Sequence, residues 1–250
     1  MILVVKKTAV IVAVVLIAVL VCGTVLAVEG TKTAFSAKKK LPIYGVDAEG
    51  KVAISFDAAW GGDKTLGILD TLDKYGVKAT FFLVGFWVDE YPDLVMEIDR
   101  RGHLIGNHST NHPHFNKLGS DEMRLEINVT AEKITALTGK EVKFFRAPFG
   151  EYNDGLIDYL DETGVKCIQW TVDTLDWKGI SGKEISDRVL NKAKGGSIIL
   201  CHNNSDHILD ALPVILLGLQ NKGLSFVRMD ELVINDDYFI DNNGIQHPAV

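Results

Sequence analysis

A chain of 250 residues with 47% hydrophobic and 24% charged side chains carries enough apolar material for one substantial core. Its formal net charge of −7 excludes a general attraction to nucleic acid, so no nucleic-acid partner is expected. Three cysteines without Cys-x-x-Cys spacing exclude a disulfide scaffold and a zinc ribbon; Cys167 and Cys201 sit inside apolar runs and read as buried thiols, a single bridge between them being the alternative.

Lys6 and Lys7 precede an uncharged run, residues 8–28, long enough at roughly 20 residues to cross a bilayer core as a helix. Residues 1–28 are predicted to be a signal peptide or membrane anchor, with the lysines cytoplasmic and the rest of the chain extracytoplasmic. Small residues near Ala27 suit a signal peptidase, but the run exceeds the usual signal core; cleavage and retention both stay open, and an uncleaved anchor is favoured. Residues 29–50, with Lys38-Lys39-Lys40 and little periodicity, read as a linker. Residues 51–235 read as one domain and 236–250 as a mobile C-terminal tail.

Within that domain one pattern recurs: a short apolar run, an amphipathic segment, a helix-ending glycine, then the next apolar run. Strands are predicted at 52–56, 79–84, 103–106, 143–145, 166–172, 197–201 and 224–228, with Gly76, Gly102, Gly139, Gly164, Gly196 and Gly223 at the returns. In residues 121–137, Met123, Ile127, Ala131 and Ile134 share a helical face while Glu122, Arg124, Glu126 and Lys133 fall elsewhere. About seven strand-then-helix units imply an α/β fold with a parallel sheet, and that many units can close into a barrel.

Chemistry in such folds gathers at the carboxyl ends of the strands. The first predicted strand is followed by Asp57-Ala58-Ala59-Trp60-Gly61 and the third by His108 and His112. After the fourth, fifth and sixth come Arg146-Ala147-Pro148-Phe149-Gly150, Asp173-Thr174-Leu175-Asp176-Trp177 and His202-Asn203-Asn204. Carboxylates, imidazoles and a guanidinium would converge on one mouth. Any one has a bland reading: Asp57 as a helix cap, Arg146 in a surface pair, His202 as a satisfied core histidine. All five together favour a site. Two imidazoles four residues apart where an apolar run turns polar suit a metal, if the backbone makes about one helical turn between them.

The ordered series Ser55-Phe56-Asp57, His108-Ser109-Thr110-Asn111-His112, Arg146-Ala147-Pro148-Phe149-Gly150, Asp173-Thr174-Leu175-Asp176-Trp177 and Leu200-Cys201-His202 resembles the motifs of polysaccharide deacetylases with a NodB-homology domain. That resemblance covers nearly all of the chain after the linker. It implies a distorted parallel (β/α) barrel, removal of acetyl groups from a cell-wall glycan, and a divalent metal, zinc, held by His108 and His112. It further implies Asp57 as general base held by Arg146, and His202 as acid with Asp173 fixing its tautomer and raising its pKa. The backbone near Phe149 would help bind the oxyanion, and Leu200 with Trp177 would shape the acetyl pocket.

One departure weakens that carry-over. The family's first motif has two consecutive aspartates, base then metal ligand, and here Asp57 is followed by Ala58. A catalytic zinc has three protein ligands, and the substitutes available, Asp57 itself, Asp63 and His114, are unconvincing: Asp63 reads as the cap of a helix starting near Lys64, and His114 lies beyond Pro113. The altered motif on a membrane-targeted chain resembles the sporulation-associated branch of Gram-positive spore formers. Two functions compete. The first, placed ahead, is metal-assisted deacetylation of peptidoglycan, with spore cortex one possible location. The second is a catalytically silent glycan-binding homologue, with Trp60, Tyr152 and Trp177 as stacking surfaces.

Overall fold

A computed structural model describes residues 40–249. The predicted anchor or signal segment and the first half of the predicted linker, residues 29–39, lie outside the described residues. Among those described, no helix is long and apolar enough to cross a membrane.

The central sheet is mostly parallel and curled. Its strands are β2 (Lys51–Ala58), β3 (Thr80–Leu83), β4 (Leu104–Asn107), β5 (Phe144–Phe145), β6 (Lys166–Cys167), β7 (Val172–Asp173) and β8 (Ile198–His202), in the order β6-β5-β4-β3-β2-β8-β7. A further strand, β9 (Ser225–Phe226), pairs off this path with the start of β2. The helices α1 (Thr65–Lys74), α2 (Gly85–Glu90), α3 (Pro92–Arg100), α4 (Ser120–Thr138), α5 (Asp154–Glu162), α6 (Gly182–Lys192) and α7 (Ile208–Asn221) connect the strands, and α8 (Met229–Leu232) follows β9.

Alternation along β2 sorts its side chains. Ile54, Phe56 and Ala58 join the large apolar layer under the helices, where Phe56 stacks on Phe81 at 5.1 Å. Ala53 belongs to a second cluster with Phe82, Phe144, Ile198 and Met229, and Asp57, two pleats further on the same face, reaches the site. Helix α4 follows its predicted bounds within one residue: Met123, Ile127 and Ile134 are buried, Ala131 packs against the core from a half-buried position, and Gly139 ends the helix at φ 69°. Cys167 and Cys201 are free and buried, without a bridge between them.

Three boundaries differ from the sequence reading. The predicted strand 166–172 is two short strands at opposite edges of the sheet, because the barrel stays open and one run of chain crosses the gap. Residues assigned to the linker close that gap: the Ile43 N–H donates to Cys167 O and its carbonyl accepts from Gln169 N–H, while Val46 N–H donates to Gly196 O. Strand β1 (Gly45–Val46) then pairs in parallel with β11 (Ile245–Pro248), which runs antiparallel to β10 (Tyr238–Ile240). The predicted mobile tail is therefore a hairpin. Asp241 shapes its turn by accepting from the N–H groups of Asn243 and Ile245, and buried Gln246 bonds both the N–H and the C=O of Ile234.

Candidate active site

Asp57, near the end of β2, is 6% exposed, and Arg146, just past β5, is fully buried beside it. One guanidinium nitrogen donates to Asp57 Oδ1 at 2.7 Å and another to the Gln169 carbonyl at 3.3 Å; the Arg146 plane lies over Phe82 at 4.1 Å. Burial alone would raise the Asp57 pKa. The charge of Arg146 and, after it, His108 and His202 outweigh that and hold the carboxyl below its ordinary range.

His108 follows β4. Its Nδ1–H donates to the Arg146 carbonyl at 2.7 Å, which turns Nε2 toward Asp57 Oδ2 at 3.4 Å. The loop to His112 is not the helical turn expected. Ser109 and His112 both take left-handed φ, 71° and 55°, and the loop is tied down by side chains: Asn107 Oδ1 accepts from Ser109 N–H, Ser109 Oγ from His112 N–H, and Glu126 from the N–H groups of Thr110 and Asn111. The His108 and His112 rings come within 5.0 Å. Burial lowers both pKa values, that of His112 to about 4.

His202, at the end of β8, has a different partner from the one expected. Its Nδ1–H donates to Asp176 Oδ1 at 2.7 Å and its backbone N–H to Asp176 Oδ2 at 2.8 Å. Asp173 instead accepts from the Leu175 N–H in a local turn, although it still lines the cavity. Leu175 at φ 57° swings the chain so that Asp176, the second aspartate of the motif, points inward with its side chain fully buried. Burial would lower the His202 pKa. The bond and charge of Asp176, helped by Asp57 and Asp173, more than compensate and raise it. The Asp-x-x-Asp spacing put both aspartates on the table; only the left-handed leucine chooses between them.

Asp57, His108, His112, Asp173, Asp176 and His202 line a cavity of about 760 Å³, with Arg146 buried behind Asp57. Trp60, Phe149 and Trp177 stand at its rim, each 58% exposed, and Leu200 forms buried wall. Trp60 precedes a turn at Gly61, φ 66°, whose carbonyl accepts from both Trp87 and Asn203. Tyr152 does not join the wall; its hydroxyl pairs with that of Tyr44 at 3.3 Å. His114 stacks on Phe149 at 4.3 Å and bonds Glu151, and the residue preceding α1, Lys64, has no side-chain cap, so Asp63 does not serve there.

The donor set does not fit a catalytic zinc. Among the described residues no three His, Cys, Asp or Glu side chains are placed to share a metal ion. Asp57 is committed to Arg146, and Ala58 is buried in the apolar layer rather than lining the cavity.

Residues 45–168 match the polysaccharide deacetylase family. The chain is 37% identical over 210 residues to a peptidoglycan-N-acetylglucosamine deacetylase of Bacillus cereus, covering 82% of this chain and 76% of the relative. It superposes with a TM-score of 0.75 and 34% identity on a wild-type CE4 family pseudoenzyme from Bacillus anthracis, covering 78% of this chain and 69% of that one. A mutant of that pseudoenzyme, described as having restored enzymatic activity, matches with the same TM-score at 35% identity, over 78% of this chain and 71% of that one. By its motifs, its curled sheet and these relatives, the chain belongs to the polysaccharide deacetylase family.

Proposed function

We propose that this chain is a catalytically silent, glycan-binding member of its family, acting at the cell envelope. The observation that carries the reading is the incomplete metal centre: two histidines, one ion-paired carboxylate, and a buried alanine at the position of the family's second aspartate. Peptidoglycan strands are the ligand class, since the similar relatives include a peptidoglycan deacetylase. Attachment through residues 8–28, an extracytoplasmic location and the sporulation-associated branch belong to the same proposal.

The groove itself supports binding. Ser109, His112, Phe149 and Leu175 are four of the five non-glycine residues at positive φ among the described residues, and all four lie in loops around the cavity. Left-handed non-glycine residues persist only where the surroundings over-determine them. Three exposed aromatic rings at the rim offer flat apolar surface to pyranose rings. Asp57 with Arg146 and His202 with Asp176 keep the base and acid geometry, so the chain's own residues can hold a proton at Asp57 Oδ2 or His202 Nε2; polarisation of an amide carbonyl is what they lack.

Zinc titration of the full chain by calorimetry tests this, beside His108→Ala, His112→Ala and Ala58→Asp, with acetate release from peptidoglycan fragments measured in parallel. The expected result is no tight zinc binding and no acetate from the native chain, with fragment binding retained. Micromolar zinc binding lost in both histidine variants, together with acetate release, would replace the reading with active deacetylation.

A further inference from the structure

The loop that brings Phe149 to the rim turns on two successive left-handed residues. Phe149 and Gly150 have φ of 58° and 68°, and the Glu151 N–H closes the turn on the Pro148 carbonyl at 3.1 Å. Positive φ at both central positions suits glycine, asparagine or aspartate; phenylalanine adopts it only when its surroundings impose it. The ring supplies part of the hold, stacked on His114 at 4.3 Å and edge-on to His112 at 4.7 Å.

The backbone of the turn is held from across the open barrel. Gln169, in the run that joins β6 to β7, is 1% exposed, and its Nε2–H donates to the Gly150 carbonyl at 3.2 Å. Its main chain is fixed at the same time: its N–H donates to the Ile43 carbonyl at 2.7 Å and its own carbonyl accepts from Arg146 at 3.3 Å. The next residue, Trp170, lines the cavity and closes on the turn, so that a Cβ at Gly150 would meet its Cη2 at 3.0 Å. A buried amide costs solvation that methionine in the same space would not, and the bond to Gly150 offsets that cost.

Resting on the glycan-binding reading above, we infer that Gln169 is a positioning residue for glycan recognition: it holds the left-handed Phe149–Gly150 turn, so that the Phe149 ring stands ready at the rim. Gln169 itself lies behind the cavity wall and acts through Phe149. Without its bond the turn has an alternative to the left-handed form, and apparent affinity falls in proportion to the fraction of chains that keep the ring in place.

Calorimetry of the full chain with a peptidoglycan tetrasaccharide tests this in a double-mutant cycle of Gln169→Met and Phe149→Gly. The first removes the donor and leaves the main-chain bonds to Ile43 and Arg146; the second removes the ring and the need for a hold. Each is expected to weaken binding about fivefold, the worth of one hydrogen bond or one ring contact. The double variant should bind no more weakly than Phe149→Gly alone. Hydrogen exchange separates a local from a general effect: the Glu151 amide should exchange about fivefold faster in Gln169→Met, with the Phe81 amide in β3 unchanged. Gln169→Asn, which keeps the amide but is a methylene shorter, repeats the cycle if the methionine variant does not fold. Unchanged affinity in Gln169→Met, losses that add in the double variant, or faster exchange at Phe81 as well each overturn the inference and leave the glycan reading standing. No binding by the native chain overturns both.

Discussion

Asp57 divides the cavity into two walls, and their contrast is instructive. On one side His202 and Asp176 form a pair with two direct bonds, the ring fixed and its proton-binding nitrogen turned to the cavity. On the other, His108 and His112 flank a loop held by Asn107, Ser109 and Glu126, equally well positioned. The acid wall is completed by its own hydrogen bonds, whereas among the described residues no third side chain is placed to share a metal with the two histidines. Positioning of a ligand set and completeness of that set are thus separable: the loop fixes both histidines whether or not a third ligand stands beside them.

The largest expected effect breaks the histidine wall from behind. Arg146→Met leaves the Asp57 carboxylate buried without its partner and should cost about 3–5 kcal/mol of stability, read from urea unfolding. On the acid wall Asp176→Asn removes a charged acceptor from two bonds and should cost about 1.5–3 kcal/mol; a larger loss here than in Arg146→Met would reverse the ranking of the walls. At the rim, Trp60→Ala and Trp177→Ala should each weaken binding of a glycan fragment by about 1 kcal/mol without moving the unfolding midpoint, since both rings are exposed.

The subtlest contrast lies in pH. Asp57 has a folded pKa below its ordinary 3.8, so its contribution is present above that value and is lost as pH falls through the folded pKa. His202 has a folded pKa above 6.5, so its contribution is complete below 6.5 and is lost as pH rises through the folded value. Stability curves should therefore show the native chain and Arg146→Met converging in acid, and the native chain and Asp176→Asn converging in base. Convergence of both pairs on the same side would show that one wall had been misassigned.

Most of the site was legible because strand ends in a parallel sheet can be listed from apolar runs, and Asp57, His108, Arg146 and His202 are each the polar residue that ends or follows one. Asp176 was not, since choosing it over Asp173 depends on Leu175 adopting a conformation leucine rarely takes. The open barrel was half legible: residues 166–172 are apolar enough for one strand, and only the curl of the sheet assigns their two ends to opposite edges. The terminal hairpin hid because its strands span three and four residues, too short for periodicity to register, although Asp241-Asn242-Asn243-Gly244 is sound turn chemistry between them.

The stretch around Ile43 also sets a limit on how this domain could be shuffled between proteins. Periodicity first announces a strand near Lys51, and a recombination seam placed there would look harmless. It would strip away the N–H donors that the carbonyls of Cys167, Gly196, Gly244 and Gln246 receive from residues 43–47. The open edge of the barrel and the terminal hairpin would then lose their shared partner at once. An inheritable unit has to carry its N-terminal seam ahead of Ile43, so the residues before the first long strand travel with the cavity.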